Sequence, residues 1–196
     1  MVRLEFETSI NAQRGILMTT TAQTGIVAGT WTIDPAHSEV GFTVRHLMTK
    51  VRGQFESFEG KITTGTELAE TRAEATIDLN SINTRDAQRD GHLRSQDFFD
   101  VENTGPMTFK STSFDGTNAQ GELTIKGVTR TVDLDVEFLG VDTDPFGNTK
   151  IGFEASTEIN RKDFGVDFNI PLDGGKLLIG DKVSITLSIQ AGLDQA

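Results

Sequence analysis

Between Glu39 and His46 the apolar side chains fall at every second residue. Val40, Phe42 and Val44 share one face with His46, while Glu39, Thr43 and Arg45 take the other. A period of two marks a strand with one buried face. The pattern returns in "AEATIDLN" (Ala73, Ala75, Ile77, Leu79) and at Leu123 and Ile125 in "GELTIKG". Its cleanest instance is "TVDLDVEF", where Val132, Leu134, Val136 and Phe138 alternate with Asp133, Asp135 and Glu137. "KIGFEASTEI" and "KVSITLSI" continue it, the second setting Val183, Ile185, Leu187 and Ile189 on one face. Clusters of Gly, Asn and Asp, as in "FDGTNAQGE" and "DTDPFGNTK", stand between alternating segments as hairpin turns require. Many strands with one buried face and short connections predict an antiparallel barrel or sandwich.

One stretch breaks the rhythm. "SINTRDAQRDGHLRSQDFFD" offers Asn83 or Thr84 as an N-cap and Asp86 in a first turn, which predicts a short helix, or two short turns divided at Gly91, before Phe98. Residues 1–29 hold no sustained period and are expected to form a flexible N-terminal tail, with Met18 an alternative start. Residues 30–192 then make one barrel domain, and 193–196 a short C-terminal tail.

Composition narrows the function. Eighteen Lys and Arg against 29 Asp and Glu give a net charge of −11, which repels the phosphate backbone and sets nucleic acid aside as a partner. The same field disfavours an anionic membrane surface, although a local basic rim can still meet one phosphorylated headgroup. No apolar run is long enough to span a membrane, and the polar start "MVRLEFETSINAQRG" lacks the apolar core of an export signal, so a cytoplasmic location is expected. Without cysteine there are no disulfides, thiolate metal sites or cysteine nucleophile.

Candidate chemistry is sparse. His37, His46 and His92 match no tight metal-ligand spacing, and on an ideal strand His37 and His46 have opposite parity, so no metal site is expected. Ser38 follows His37 without a G-x-S-x-G elbow, "GGKLLIG" lacks the spacing of a phosphate loop, and Asp133, Asp135 and Glu137 read as a solvated face. "DPAHS" caps a turn. The aromatics say more: 13 phenylalanines and no tyrosine, with Phe55, Phe58, Phe98, Phe99, Phe164 and Phe168 near expected strand ends, suit either a packed core or a long apolar cavity.

Five segments in order, "WTIDPAHSEVGFTVRHL", "KVRGQFESFEGKI", "SINTRDAQRDGHLRSQDFFD", "GELTIKGVTRTVDLDV" and "EASTEINRKDFGV", make the chain resemble the YceI family of polyisoprenoid-binding proteins over about residues 30 to 190. The resemblance implies an all-β fold, an extended antiparallel lipocalin-like barrel of about eight strands with a short helical insertion. It also implies an apolar tunnel that holds a long isoprenoid or fatty chain, headgroup at the mouth. Phe42, Val44, Phe55, Phe98, Phe99, Val132, Leu134, Val136, Phe153 and Phe164 are then the expected tunnel wall, with His46, Arg52, His92 and Arg94 near the headgroup and Trp31 closing one end. The expected function is noncatalytic: to sequester or carry a polyisoprenoid, such as a prenyl lipid or quinone, or another fatty amphiphile, with no cofactor besides that lipid. The alternative is an enzyme acting on such a substrate, with His46 or His92 as acid or base and Asp97 or Asp100 to orient it. A homodimer through a remaining strand edge is possible.

Overall fold

The structure, a computed structural model, describes residues 25–194, so the expected start at Met18 and most of the expected N-terminal tail lie outside the described residues. Eleven strands form one antiparallel sheet: β1 (Gly29–Ile33), β2 (Glu39–His46), β3 (Thr49–Phe55), β4 (Phe58–Thr64), β5 (Arg72–Ile77), β6 (Ile82–Asn83), β7 (Met107–Phe114), β8 (Asn118–Ile125), β9 (Val128–Thr143), β10 (Thr149–Asn160) and β11 (Ile179–Leu193). Three pairs act as single staves with a kink. β1 and β2 both run along β11, β3 and β4 return along them, and β5 and β6 return again. The result is a closed meander of eight staves, with β11 pairing back onto β1 through Trp31↔Leu193 and Ile33↔Ala191. β9 alone is 16 residues long, about 50 Å of strand at ~3.3 Å per residue, so the barrel is elongated.

The kinks and bulges have local causes. Between β1 and β2, Asp34 accepts from the Ala36 amide (3.1 Å) and bonds the His37 ring (3.0 Å), capping a single tight turn as "DPAHS" predicts. In β9, Leu139 is skipped, because Phe153 pairs with Phe138 while Gly152 pairs with Gly140, whose φ of 132° a side chain would strain. That bulge resets the alternation, so Val141 rather than Leu139 follows Phe138 on the covered side of the sheet.

β5 passes on to β7, but β6 has only β3 as a partner, so the wall is incomplete at this end. Helix α1 (Ala87–Arg94) fills the gap as one unbroken helix that runs through Gly91. Its cap is Asp86, which accepts from the Arg89 amide at 3.0 Å, and neither Asn83 nor Thr84. Thr84 is buried and gives both its amide (2.9 Å) and its hydroxyl (2.6 Å) to Asp90, which leaves it no part in capping. α1 packs against β6, whose unpaired edge among the described residues is two residues long.

At the far end Trp31 is fully buried and its Nε1 donates to Thr64 Oγ1 (2.9 Å), which itself donates to the Val27 carbonyl (2.7 Å). The indole is therefore buried at this end of the barrel with its one polar atom satisfied. β11 continues through Leu193 and the Asp194 amide reaches the Thr30 carbonyl, so the barrel runs a little past residue 192.

Candidate functional site

Two cavities follow one another along the barrel axis. The upper one, about 250 Å³, lies under α1. The lower one, about 180 Å³, extends toward Trp31, and Val40, Met107 and Ile185 line both. The two together fall within the range of small-molecule sites, roughly 300–1,000 Å³.

The upper cavity brings together Phe42, Val44, His46 and Phe55 from β2 and β3 with His92 from α1, Phe98 and Phe99 from the segment after it, and Phe164. Aromatic packing sets the wall. Phe42 lies 5.7 Å from Phe55, Phe55 lies 6.2 Å from Phe99, and His92, Phe98 and Phe168 form a triangle with every centroid separation 5.1 Å. Gly53 makes room for one of these rings: a Cβ there would sit 2.5 Å from Phe42. The lower cavity is lined by Val132, Leu134, Val136 and Phe153, with Phe109 seated over Gly121 in the same way. The expected wall residues are thus split between two chambers.

Two of the expected headgroup residues lie elsewhere. Arg52 is exposed and outside both cavity walls, because Val51 and Phe55 take the inner face of β3 and alternation sends Arg52 out. Arg94 is likewise absent from the walls and ties α1 to the barrel, donating to the carbonyls of Asn80 (2.8 Å) and Ile82 (3.0 Å). In their place stand two arginines that sequence reasoning missed. Arg89, one turn before His92, lines the cavity and holds Thr84 through Nε (2.7 Å to Oγ1) and Nη2 (2.8 Å to the carbonyl).

Arg161 is the second. It is 5% exposed, and it donates to the carbonyls of Gly180 (3.0 Å), Val166 (2.6 Å) and Phe168 (2.9 Å). Its Nη2 makes no hydrogen bond and stands 3.6 Å from Asp181 Oδ1. Burial pushes this guanidinium below its ordinary value, opposed by the charges of Asp181 and Asp167. Nothing in "INRKDF" distinguishes a buried arginine from an exposed one. Val183 and Ile185 of the wall, by contrast, fall in the alternating "KVSITLSI".

Polar atoms are concentrated at the α1 end, where the wall carries His46, Arg89, His92 and Arg161 among otherwise apolar residues. Half-exposed His92 bonds Asp97 Oδ2 through Nε2 at 2.8 Å. No serine, threonine, lysine or carboxylate lines the upper cavity. His37 lies away from it, bonded to Asp34, and among the described residues no group of three His, Cys, Asp or Glu is placed to hold a metal. No helix of the described residues is long and apolar enough to cross a membrane.

The chain is similar to proteins of the same architecture. A UPF0312 protein of Staphylococcus epidermidis is 37% identical over 164 residues, covering 82% of this chain and 96% of its own, and one from Staphylococcus aureus N315 is 36% identical over 171. Among solved structures, the Campylobacter jejuni YceI protein superposes with a TM-score of 0.65 at 31% identity, over 83% of this chain and 96% of that one. A polyisoprenoid-binding domain from Saccharophagus degradans shares the fold with a TM-score of 0.65 at 17% identity, covering 86% of this chain and 100% of the other. The model of the YceI-like domain matches residues 31–191, and the chain belongs to the YceI-like family.

Proposed function

We propose that this barrel binds the apolar chain of a long amphiphile, a polyisoprenoid such as a prenyl lipid or quinone, and sequesters or carries it without catalysis. The observation that carries this reading is the pair of apolar cavities stacked along the barrel, which share Val40, Met107 and Ile185 as wall residues and carry their polar groups at the α1 end. Each buried CH₂ contributes about 0.8 kcal/mol, so a few isoprene units held by the wall reach useful affinity without directional bonds. His46, Arg89, His92 and Arg161 would then orient a polar head, and the occupant is selected by slenderness and length more than by chemistry. The polyisoprenoid-binding domain of the same fold supports this choice of ligand.

The test is native mass spectrometry of freshly purified protein, then organic extraction, delipidation and reloading with a prenyl alcohol. Stoichiometric uptake by the wild type and its loss in folded Phe42→Asp and Leu134→Asp are expected. A protein that is empty as purified and refuses the prenyl chain overturns the reading. The His92–Asp97 hydrogen bond supports a second reading, acid–base catalysis on a bound lipid. Turnover of the loaded lipid that disappears in His92→Ala would replace the first reading with the second.

A further inference from the structure

The mouth of the tunnel is ringed by side chains that a soluble surface does not need. Met48 is 94% exposed, Leu47 50%, and Ile170 and Leu177 46% each. These four sit on neighbouring backbone. The Leu47 amide donates to the Leu178 carbonyl (2.9 Å), the Leu178 amide donates to the Ile170 carbonyl (3.0 Å), and Pro171 bridges Leu177. Ile170 itself lines the upper cavity, as do Leu178 and His46, the chain neighbours of Leu177 and Leu47, so the collar is continuous with the cavity wall. The other large exposed apolar residues, Val27, Leu139 and Phe146, are scattered singly, as is ordinary.

Leu47 breaks two local rules at once. It occupies the β2–β3 turn, between paired His46 and Thr49, with φ of 53°, a conformation that Gly, Asn or Asp adopts at less cost. A leucine held there, half exposed, marks a side chain retained for what it touches outside the fold.

Charge identifies the partner. From Val40 to Phe55 the chain carries Arg45, Lys50 and Arg52 and no carboxylate, in a protein of net charge −11. Arg45, Lys50 and Arg52 are exposed and, with Lys176 in the neighbouring loop, have no ion-pair partner among the described residues; Asp173 is a carboxylate of the same loop as Lys176. Nearby Asp181 and Glu158 are held by Lys162 (2.9 Å) and Lys182 (2.6 Å), and Asp167 faces Arg161. At physiological ionic strength fields decay over about 8 Å, so a surface touching the hairpin responds first to Arg45, Lys50 and Arg52, with Asp173 of the facing loop a nearby carboxylate that has no basic partner among the described residues, and only weakly to the acidic strands beyond.

We infer that the Leu47–Met48 hairpin, with Ile170 and Leu177, is a membrane-docking collar that seats the tunnel mouth on an anionic lipid bilayer. Exposed apolar tips flanked by Lys and Arg are the chemistry of an interfacial anchor. The placement rests on the lipid-binding reading for its purpose, because a mouth pressed to a bilayer lets a chain pass from membrane to tunnel without crossing water. Docking itself is measured independently of tunnel content.

The experiment is flotation of the full chain with vesicles of phosphatidylcholine alone or mixed with phosphatidylglycerol, at low and high salt. Binding to the mixed vesicles, weakened by salt, is expected, with about tenfold weaker partitioning for Leu47→Asn/Met48→Thr. Asn suits the positive φ, so this variant keeps the fold and its uptake of detergent-presented prenyl alcohol. Leu134→Asp should dock normally while failing to load, which separates the collar from the tunnel. Wild type that floats with neither vesicle, or a double variant that floats equally well, overturns the proposal. So does a concentration-dependent dimer that the double variant abolishes, since a second copy would then be what covers the collar.

Discussion

Arg161 shows how one side chain can hold a cavity in shape while standing in its wall. Three carbonyls from two different segments, Val166 and Phe168 on one side and Gly180 on the other, converge on its guanidinium. Removing it takes the donor from one buried and two part-buried carbonyls and leaves Asp181 without its nearest buried cation. Arg161→Ala is therefore expected to lower stability by about 3 kcal/mol or more in urea unfolding, with Arg161→Lys recovering only part of the loss because an ammonium lacks the planar fork. An unchanged midpoint would mean that these contacts carry little of the fold. Residues of this kind are invisible to patterning. Arg52 and Arg94 drew attention because they sit beside histidines and glycines, yet alternation along "KVRGQF" already placed Arg52 with Lys50 on the outer face. Arg161 sits in a polar run and is buried only because strands distant in sequence close over it.

At the scale of elements, alternation was enough to read most of the strands, since a half-buried strand prints its faces directly into the sequence. What it could not show was where the register slips. The Leu139 bulge, the kinks that divide three staves, and the replacement of sheet by α1 depend on pairing partners far away along the chain. The turns at the closed end are legible and also titratable. Asp115 accepts from the amides of Thr117 (2.9 Å) and Asn118 (2.7 Å), and those donors pull its carboxyl down to about 2 from 3.8. Asp144 and Glu70 are lowered in the same manner, the first mainly by the Asn148 side chain and the second by the amides of Glu67 and Thr66. A depressed carboxyl stabilises the fold fully above its unfolded value, and that contribution is lost as pH falls toward its folded value. Asp115→Ala should accordingly be less stable than wild type at neutral pH, with the difference in urea midpoint shrinking as pH approaches about 2. A difference independent of pH would show that the ionised form has no special part in the turn.

The whole molecule is a tube with unequal ends. Near Trp31 the staves are paired all round and the indole is fully buried, so opening there means breaking the ladder itself. At the mouth, α1, the segment through Phe98 and Phe99, and residues 165–178 stand where the sheet does not reach, held by side-chain bonds such as Arg94 to Asn80 and Ile82 and Arg161 to Val166 and Phe168. Regions tied by a few such bonds open locally at lower cost than a continuous ladder. The proposed occupant of the upper cavity would rest on these same segments, through Leu93, Phe98, Phe99, Val166 and Phe168, and would bind only while they are closed. Linkage then fixes the outcome: at a ligand concentration of about 100 times its dissociation constant, openings that expel the ligand become about a hundredfold rarer. Hydrogen exchange of delipidated protein should be faster at residues 87–101 and 165–178 than in the strands of the barrel. Loading a prenyl chain should slow those amides by up to that factor while leaving the strands around Trp31 unchanged. Slowing spread evenly over the barrel would place the entry of the chain elsewhere, because a ligand protects most strongly the door through which it must leave.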